Sequence, residues 1–311
     1  MPLYLSEADV QALLTPADAV HLLEEAFRAQ AEGGAVNLPR RRLVSKPAVL
    51  HVLPAALPPA MGLKAYVSTP KGISFVVLVF NSAEGTLDAI VEANRLGQVR
   101  TGAASALATK YLAPHGRRVG LVGTGYQAWG QVEALASVIS DMEVKVYGRD
   151  VDRKDDFVKR VGQELWVTCR AVSDVAAACR DVDVLVTATS AREPFLRAEY
   201  LRPGLHVNAM GINRGNAAEL TMEAVMRCSL KVVDDVEQAK TEAGDLMPLV
   251  ASNHLHWNDL KTLRDLVTGK VIRASEDISL FKSLGIGLED IAVAQHVYRK
   301  ALETGRGTRV G

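Results

Sequence analysis

Apolar and polar residues alternate in two different rhythms along this chain, and the change falls near residue 116. Before it, Val20, Leu23, Ala26 and Phe27 recur at helical spacing within AVHLLEEAFRAQAEGG (19–34), which predicts an amphipathic helix with one apolar stripe. Thr15-Pro16 supplies a capping hydroxyl followed by proline at the first helical position, and Gly33-Gly34 ends the helix. Ser6 can cap a shorter helix ahead of it. Four runs rich in β-branched and aromatic residues follow: VLHVLPA (49–55), LKAYVS (63–68), ISFVVLVFN (73–81) and TLDAIVEA (86–93). Short turn signals separate them, so antiparallel pairing is expected. LGQVRTGAASALATKYLA (96–113) then reads as a small-residue helix that ends before Pro114 and Gly116.

After Gly116 strands and helices alternate. RRVGLVG (117–123), EVKVYG (143–148), WVTCRAV (166–172), DVDVLVTAT (181–189), LHVNAMG (205–211) and LKVVDD (230–235) are strand candidates. YQAWGQVEALASVI (126–139) and VDRKDDFVKRVG (151–162) are helices. This order predicts a parallel sheet with helices on both faces. The tail IGLEDIAVAQHVYRKALETG (286–305) is one more amphipathic helix, expected to return to the N-terminal part. The fold class is therefore α/β. A Rossmann-type parallel-sheet domain (116–285) is inserted in a discontinuous α+β domain (1–115 plus 286–311).

Composition narrows the function classes. At 311 residues two domains are the default, and 48% hydrophobic with 23% charged residues is ordinary globular usage. Lys+Arg equals Asp+Glu at 36 each, so no net field favours nucleic acid or an anionic membrane. The one basic run is Arg40-Arg41-Arg42. Cys169, Cys179 and Cys228 form no C-x-x-C pair and have no histidine at metal spacing; they read as small buried hydrophobes in a reducing compartment, with no metal expected. The segment MPLYLSEADV lacks the basic and apolar regions of a signal peptide, and no apolar run is long enough to span a bilayer. A soluble cytoplasmic protein is expected.

Chemistry enters at Gly123-Thr124-Gly125-Tyr126-Gln127-Ala128, a G-x-G-x-x-A turn between a predicted strand and a predicted helix. The first glycine permits the tight turn, the second lets the backbone approach a pyrophosphate, and the small third residue lets helix pack on strand. The next strand ends Val146-Tyr147-Gly148-Arg149-Asp150. An NAD site usually has an acid there for the ribose 2′-hydroxyl; here Gly148 leaves room for a 2′-phosphate and Arg149 can pair with it. NADP is favoured, with NAD the alternative if Asp150 turns inward.

Several further stretches, PRRRL (39–43), GLKAY (62–66), EANRLGQVRTGAASALATKYLA (92–113), TATSAREPFL (187–196), NAMGIN (208–213), DDVEQAKTEAGDL (234–246) and FKSLGIGLEDIA (281–292), together with the glycine-rich turn, resemble the ornithine cyclodeaminase/mu-crystallin family over almost the whole chain. The resemblance implies a homodimer, with the discontinuous domain binding substrate and forming the dimer. It also implies an NAD(P)-dependent oxidoreductase acting on the carbon–nitrogen bond of a small amino or imino acid. On the family motifs, Lys64 and Arg100 hold the substrate carboxylate, and Lys64 can also move a proton near the substrate nitrogen. Motif spacing makes Arg41 the third cation, with Arg42 as alternative. Thr101, Thr187, Thr189 and Ser190 are expected beside the cofactor with the glycine-rich turn. His51, in an alternating strand, is either substrate-facing or structural.

Asn213 stands where ornithine cyclodeaminases carry an acid. An amide cannot take a proton from a substrate ammonium, though it can still hydrogen-bond substrate or nicotinamide at the catalytic centre. The expected function is therefore reduction of a cyclic ketimine carboxylate, such as Δ1-pyrroline-2-carboxylate, by NAD(P)H to an L-amino acid. An NAD-dependent amino-acid dehydrogenase or ornithine cyclodeaminase is the second reading. A mu-crystallin-like binding protein without turnover is the third.

Overall fold

The computed structural model describes residues Met1–Gly311, which form two compact units: residues 1–103 with 285–311, and residues 104–284. In chain order the elements are β1 (Leu3–Leu5), α1 (Glu7–Leu13), α2 (Pro16–Ala31), β2 (Val36–Asn37), β3 (Arg41–Ser45), β4 (Ala48–Leu57), β5 (Ala60–Thr69), β6 (Gly72–Asn81), β7 (Leu87–Glu92) and α3 (Asn94–Leu112). There follow β8 (Arg118–Val122), α4 (Tyr126–Ala136), β9 (Glu143–Tyr147), α5 (Val151–Glu164), β10 (Thr168–Ala171), α6 (Val175–Cys179), β11 (Val184–Thr187), β12 (His206–Ala209) and α7 (Met222–Arg227). The rest are β13 (Leu230–Val233), α8 (Val236–Glu242), α9 (Met247–Ala251), β14 (Lys261–Thr262), α10 (Leu263–Val267), β15 (Ser279–Lys282), α11 (Gly287–Thr304) and β16 (Thr308–Arg309). No helix is long and apolar enough to cross a membrane.

The first unit is a sheet ordered β16-β1-β7-β6-β5-β4-β2, with β3 also on β4. Strands β4 to β7 form the antiparallel meander that the turn signals predict. Capping boxes start both N-terminal helices, Ser6 with Asp9 and Thr15 with Asp18. Alternation along the strands gives two unlike faces. Leu53, Ala55, Val77, Val79, Ala89 and Val91 are buried on one, along which α11 runs. The first turn of α11 comes so near β4 that a Cβ at Gly287 would meet Leu53 O at 2.6 Å. On the other face Val52, Leu63, Ala65, Val76, Leu78 and Ile90 stay half-buried.

The second unit is a parallel sheet ordered β10-β9-β8-β11-β12-β15-β13-β14. The chain moves outward from β8 first to one side and then to the other, which puts the switch point between β8 and β11. Open α/β sheets take ligands there, beyond the carboxyl ends of the strands. Strand β15 is not among the runs read from the sequence. Four residues buried on both faces carry no alternation, and β15 finds its place only by insertion between β12 and β13.

The first division falls between residues 103 and 104, inside α3, rather than at 115/116 after it. An unbroken helix carries no turn signal, so its own sequence cannot mark where contacts change.

Candidate active site

The buried face of the first unit carries a group of charges. Lys64 sits on β5 directly opposite Leu53 of β4 and Val77 of β6, so alternation points it at the covered face, where it is 3% exposed. Its Nζ lies 3.1 Å from Asp290 Oδ1 and 5.1 Å from the centre of the Phe75 ring. Arg100 on α3 brings Nε to 3.0 Å from that same Asp290 oxygen and Nη1 to 2.7 Å from Glu289 Oε2. One carboxylate oxygen thus bridges a lysine and an arginine. Arg40 Nη2 donates to Gly285 O at 2.9 Å.

Local structure explains the arrangement. Glu289 and Asp290 lie in the first turn of α11, where the helix dipole favours carboxylates. Gly97 and Gly285 give the cations room: a Cβ would sit 3.0 Å from Lys64 Nζ at Gly97 and 2.4 Å from Arg100 Nη1 at Gly285. The buried charged side chains of this unit are Arg40, Lys64, Arg95 and Arg100 against Glu289 and Asp290. Burial pulls the Lys64 ammonium down to about 8, Arg100 and Arg40 push the same way, and Asp290 opposes them.

On the same sheet face a row of rings continues from Lys64. His51 stacks on Tyr66 at 4.2 Å between centroids, Tyr66 leans on Phe75 at 4.9 Å, and His51 Nε2 is 3.1 Å from Ser68 Oγ. All three rings are half-buried.

The cation that joins Lys64 and Arg100 is Arg40, not Arg41. Arg41 and Arg42 belong to β3, whose residues are all exposed. Arg40 precedes the strand and is 7% exposed. Three adjacent arginines look alike in sequence, and only the chain's entry into β3 separates them. The sequence does not single out Glu289 and Asp290, the carboxylates that pair with Lys64 and Arg100. Two acids opening a helix read as ordinary dipole partners, and their burial shows only in the fold.

In the second unit, the glycine-rich turn joins β8 to α4. Gly123 has φ +125°, and a Cβ there would meet Ala188 O at 2.3 Å. Gly125 is the N-cap of the 11-residue helix α4 and makes no side-chain capping bond; nothing lies within 4 Å of where its Cβ would be. The leading N–H groups of α4 therefore open onto room that a pyrophosphate can fill. Thr124 and Gln127 are half-buried, and Tyr126 is exposed.

Three expectations change here. Gly148 is glycine because of Thr124: a Cβ at 148 would come within 2.8 Å of Thr124 Cγ2, so packing alone accounts for the missing side chain. Asp150 caps α5 by accepting from Arg153 N at 3.1 Å and is committed to that task, while Arg149 is exposed. Thr187 is fully buried, with its hydroxyl on Glu219 Oε2 at 2.8 Å, so it cannot touch a cofactor. Thr189 is half-buried and also donates to Glu219, whereas Ser190 is exposed. Asn213, just beyond β12, donates from Nδ2 to Leu284 O at 3.3 Å. In the first unit, Thr101 gives its hydroxyl proton to Gly97 O at 2.7 Å, one turn back on α3.

These two groups, a buried cation cluster and an open glycine-rich turn, coincide with a family match. A sequence model of the ornithine cyclodeaminase/mu-crystallin family covers residues 2–305. The chain belongs to this family. A Δ1-pyrroline-2-carboxylate reductase of Bacillus cereus is 32% identical over 262 residues, covering 81% of this chain and 80% of the relative. The structure of the Thermococcus litoralis Δ1-pyrroline-2-carboxylate reductase in complex with NADH and L-proline superposes with a TM-score of 0.93 at 29% identity, covering 99% of this chain and all of that one. An archaeal alanine dehydrogenase dimer with bound NAD gives a TM-score of 0.93 at 31% identity, covering 100% of this chain and 99% of the other.

Proposed function

We propose that this chain is an NAD(P)H-dependent reductase of small cyclic imino acids, turning a ketimine carboxylate such as Δ1-pyrroline-2-carboxylate into an L-amino acid. The observation that carries the reading is the buried lysine–arginine pair, Lys64 and Arg100, drawn together on one Asp290 oxygen at the covered face of the sheet. Two cations held side by side in a site shielded from water favour an anion between them, and a substrate carboxylate is such an anion. Arg100 and Arg40 hold that carboxylate, which orients the adjacent C=N bond. Lys64, with its proton loosened by burial, keeps the imine nitrogen protonated and so makes its carbon electrophilic. When bound, the reduced nicotinamide supplies the hydride that adds to that carbon. The first unit thus serves substrate, and the second, through Gly123–Ala128, serves the dinucleotide. Asn213 carries no charge and cannot accept a proton from a substrate ammonium, which favours imine reduction over cyclodeamination.

NADPH is the expected donor. With Gly148 explained by Thr124, the preference rests on Arg149, which is exposed beside the committed Asp150. Arg149→Ala is expected to raise KM for NADPH about tenfold, the size of one charge-assisted contact, and to change KM for NADH less than twofold. Equal effects on both cofactors would remove the preference. The whole reading is tested by following loss of reduced-nicotinamide absorbance with Δ1-pyrroline-2-carboxylate. Turnover of alanine with NAD+ but none of the imine would overturn it.

The half-buried apolar sheet face fits a second copy of the chain, so the active form is a homodimer. Light scattering should give twice the chain mass, and Leu78→Lys, which puts an ammonium in that face, should give monomer. A monomeric parent chain would refute this arrangement. The three cysteines are free thiols, in keeping with the cytoplasm as compartment.

A further inference from the structure

One buried carboxylate in the second unit ties the ends of neighbouring strands together. Glu219 is fully buried in the loop after β12. Its Oε1 accepts from the Thr189 N–H at 2.9 Å and the Thr189 hydroxyl at 2.7 Å. Its Oε2 accepts from the Thr187 hydroxyl at 2.8 Å and the Gly211 N–H at 2.9 Å. Thr187 ends β11, Thr189 lies just beyond it, and Gly211 follows β12. The approach is close enough that a Cβ on Gly211 would stand 2.3 Å from Oε1 and 2.5 Å from Thr189 N.

A second layer holds the first. Asp245 Oδ1 accepts from the N–H groups of Glu219 and Leu220 at 2.7 and 3.0 Å, and Asp245 Oδ2 lies 2.8 Å from Lys282 Nζ, with both side chains fully buried. Lys282 is the last residue of β15 and donates to Ile212 O at 2.5 Å. The carboxyl ends of β11, β12 and β15 therefore meet in one network. Ala188, between the two threonines, donates to Val122 O at 2.9 Å, and its own carbonyl is the atom that requires glycine at 123. The network thus abuts the glycine-rich turn at the edge where an open α/β sheet takes its ligand.

We infer that Glu219 is a positioning residue for the dinucleotide, setting the 187–189 and 211–212 loops in the geometry that receives it. This rests on the dinucleotide reading of the second unit and adds a residue outside every motif used for it. The chemistry demands a carboxylate. Each oxygen meets one backbone N–H, and a backbone N–H cannot reverse direction. A glutamine is nearly the same shape but presents NH2 on one side, against either Thr189 N–H or Gly211 N–H. One loop is then released whichever way the amide turns.

The test is the dissociation constant of NADPH, and separately NADH, read from quenching of protein fluorescence without imino acid, on Glu219→Gln and on Thr189→Val. The valine removes one hydroxyl donor and keeps the backbone bond, so the test survives if the glutamine variant folds poorly. Circular dichroism and a melting curve verify that each variant is folded at the assay temperature. Glu219→Gln is expected to weaken cofactor binding by about tenfold and Thr189→Val by about threefold, with KM for the imino acid unchanged. A purely structural role would lower the melting temperature and leave the affinity of the folded protein alone; that result would overturn the inference. If the parent chain binds no reduced nicotinamide, the cofactor reading falls and this inference with it. If binding weakens as expected but no imine is reduced, the inference stands and the imino-acid reading falls.

Discussion

Asp290→Ala is expected to destabilise the chain by about 3–5 kcal/mol, the range seen when one partner of a buried ion pair is removed. The size follows from what a single atom does. Asp290 Oδ1 receives both Lys64 Nζ and Arg100 Nε in an interior from which water is excluded. Without it two cations lose a shared counter-charge, and Arg100 keeps Glu289 while Lys64 loses its carboxylate partner. Urea unfolding should show a lower midpoint with little change in slope, since the folded and unfolded surfaces stay alike. The loss should be larger at pH 6 than at pH 9, because at the higher pH the lysine of the variant can shed its proton. Replacing both partners, Lys64→Met with Asp290→Leu, should recover much of the stability and none of the activity. A single-variant loss under about 1 kcal/mol would mean that the carboxylate does not support the cluster.

Lys64→Met is expected to lower kcat/KM for the imino acid by about a thousandfold, in line with removal of a buried charged group that acts on the reacting atoms. The parent enzyme supplies a second signature. Burial holds the Lys64 ammonium near 8, so the reactive, protonated form is lost as pH rises through that value. The kcat/KM profile should fall above it on a single ionisation. Stability should move the other way. The folded state holds this proton less tightly than the unfolded chain, so between about 8 and the ordinary lysine range near 10.4 the unfolded state carries more protons. Raising pH across that window therefore adds stability, and the Lys64 contribution is least favourable below it. Lys64→Arg, which stays charged throughout, should abolish both trends whatever its residual rate. A kcat/KM profile with no limb near 8 would take the proton-holding role away from Lys64.

Much of this protein is written in short-range signals. The capping boxes at Ser6 and Thr15, the stripe through Val20 to Phe27, the meander from residue 48 to 92 and the Gly123–Ala128 turn each depend on residues a few positions apart. Local sterics and hydrogen bonds leave these signals legible in short stretches of sequence. Lys64 and Arg100 are singled out only through the family resemblance of the motifs that hold them, GLKAY and VRTG.

The rest was settled between residues far apart in the chain. Lys64 and Arg100 meet Asp290 across sequence separations of 226 and 190 residues. Nothing near residue 40 tells which of three arginines will be buried, because burial is a property of the partner surface. Gly148 looked like room for a phosphate and is room for Thr124. Thr187 looked like a cofactor contact and is a donor to Glu219, 32 residues on. Strand β15 has no pattern of its own and exists because β12 and β13 leave a gap of one strand. Periodicity and caps are free-energy differences within one turn or one strand, so the sequence by itself determined most of the elements and their order, β15 excepted. Which charges go inside, and what they hold in place there, is a balance between desolvation and distant counter-charges, and only the tertiary structure decided it.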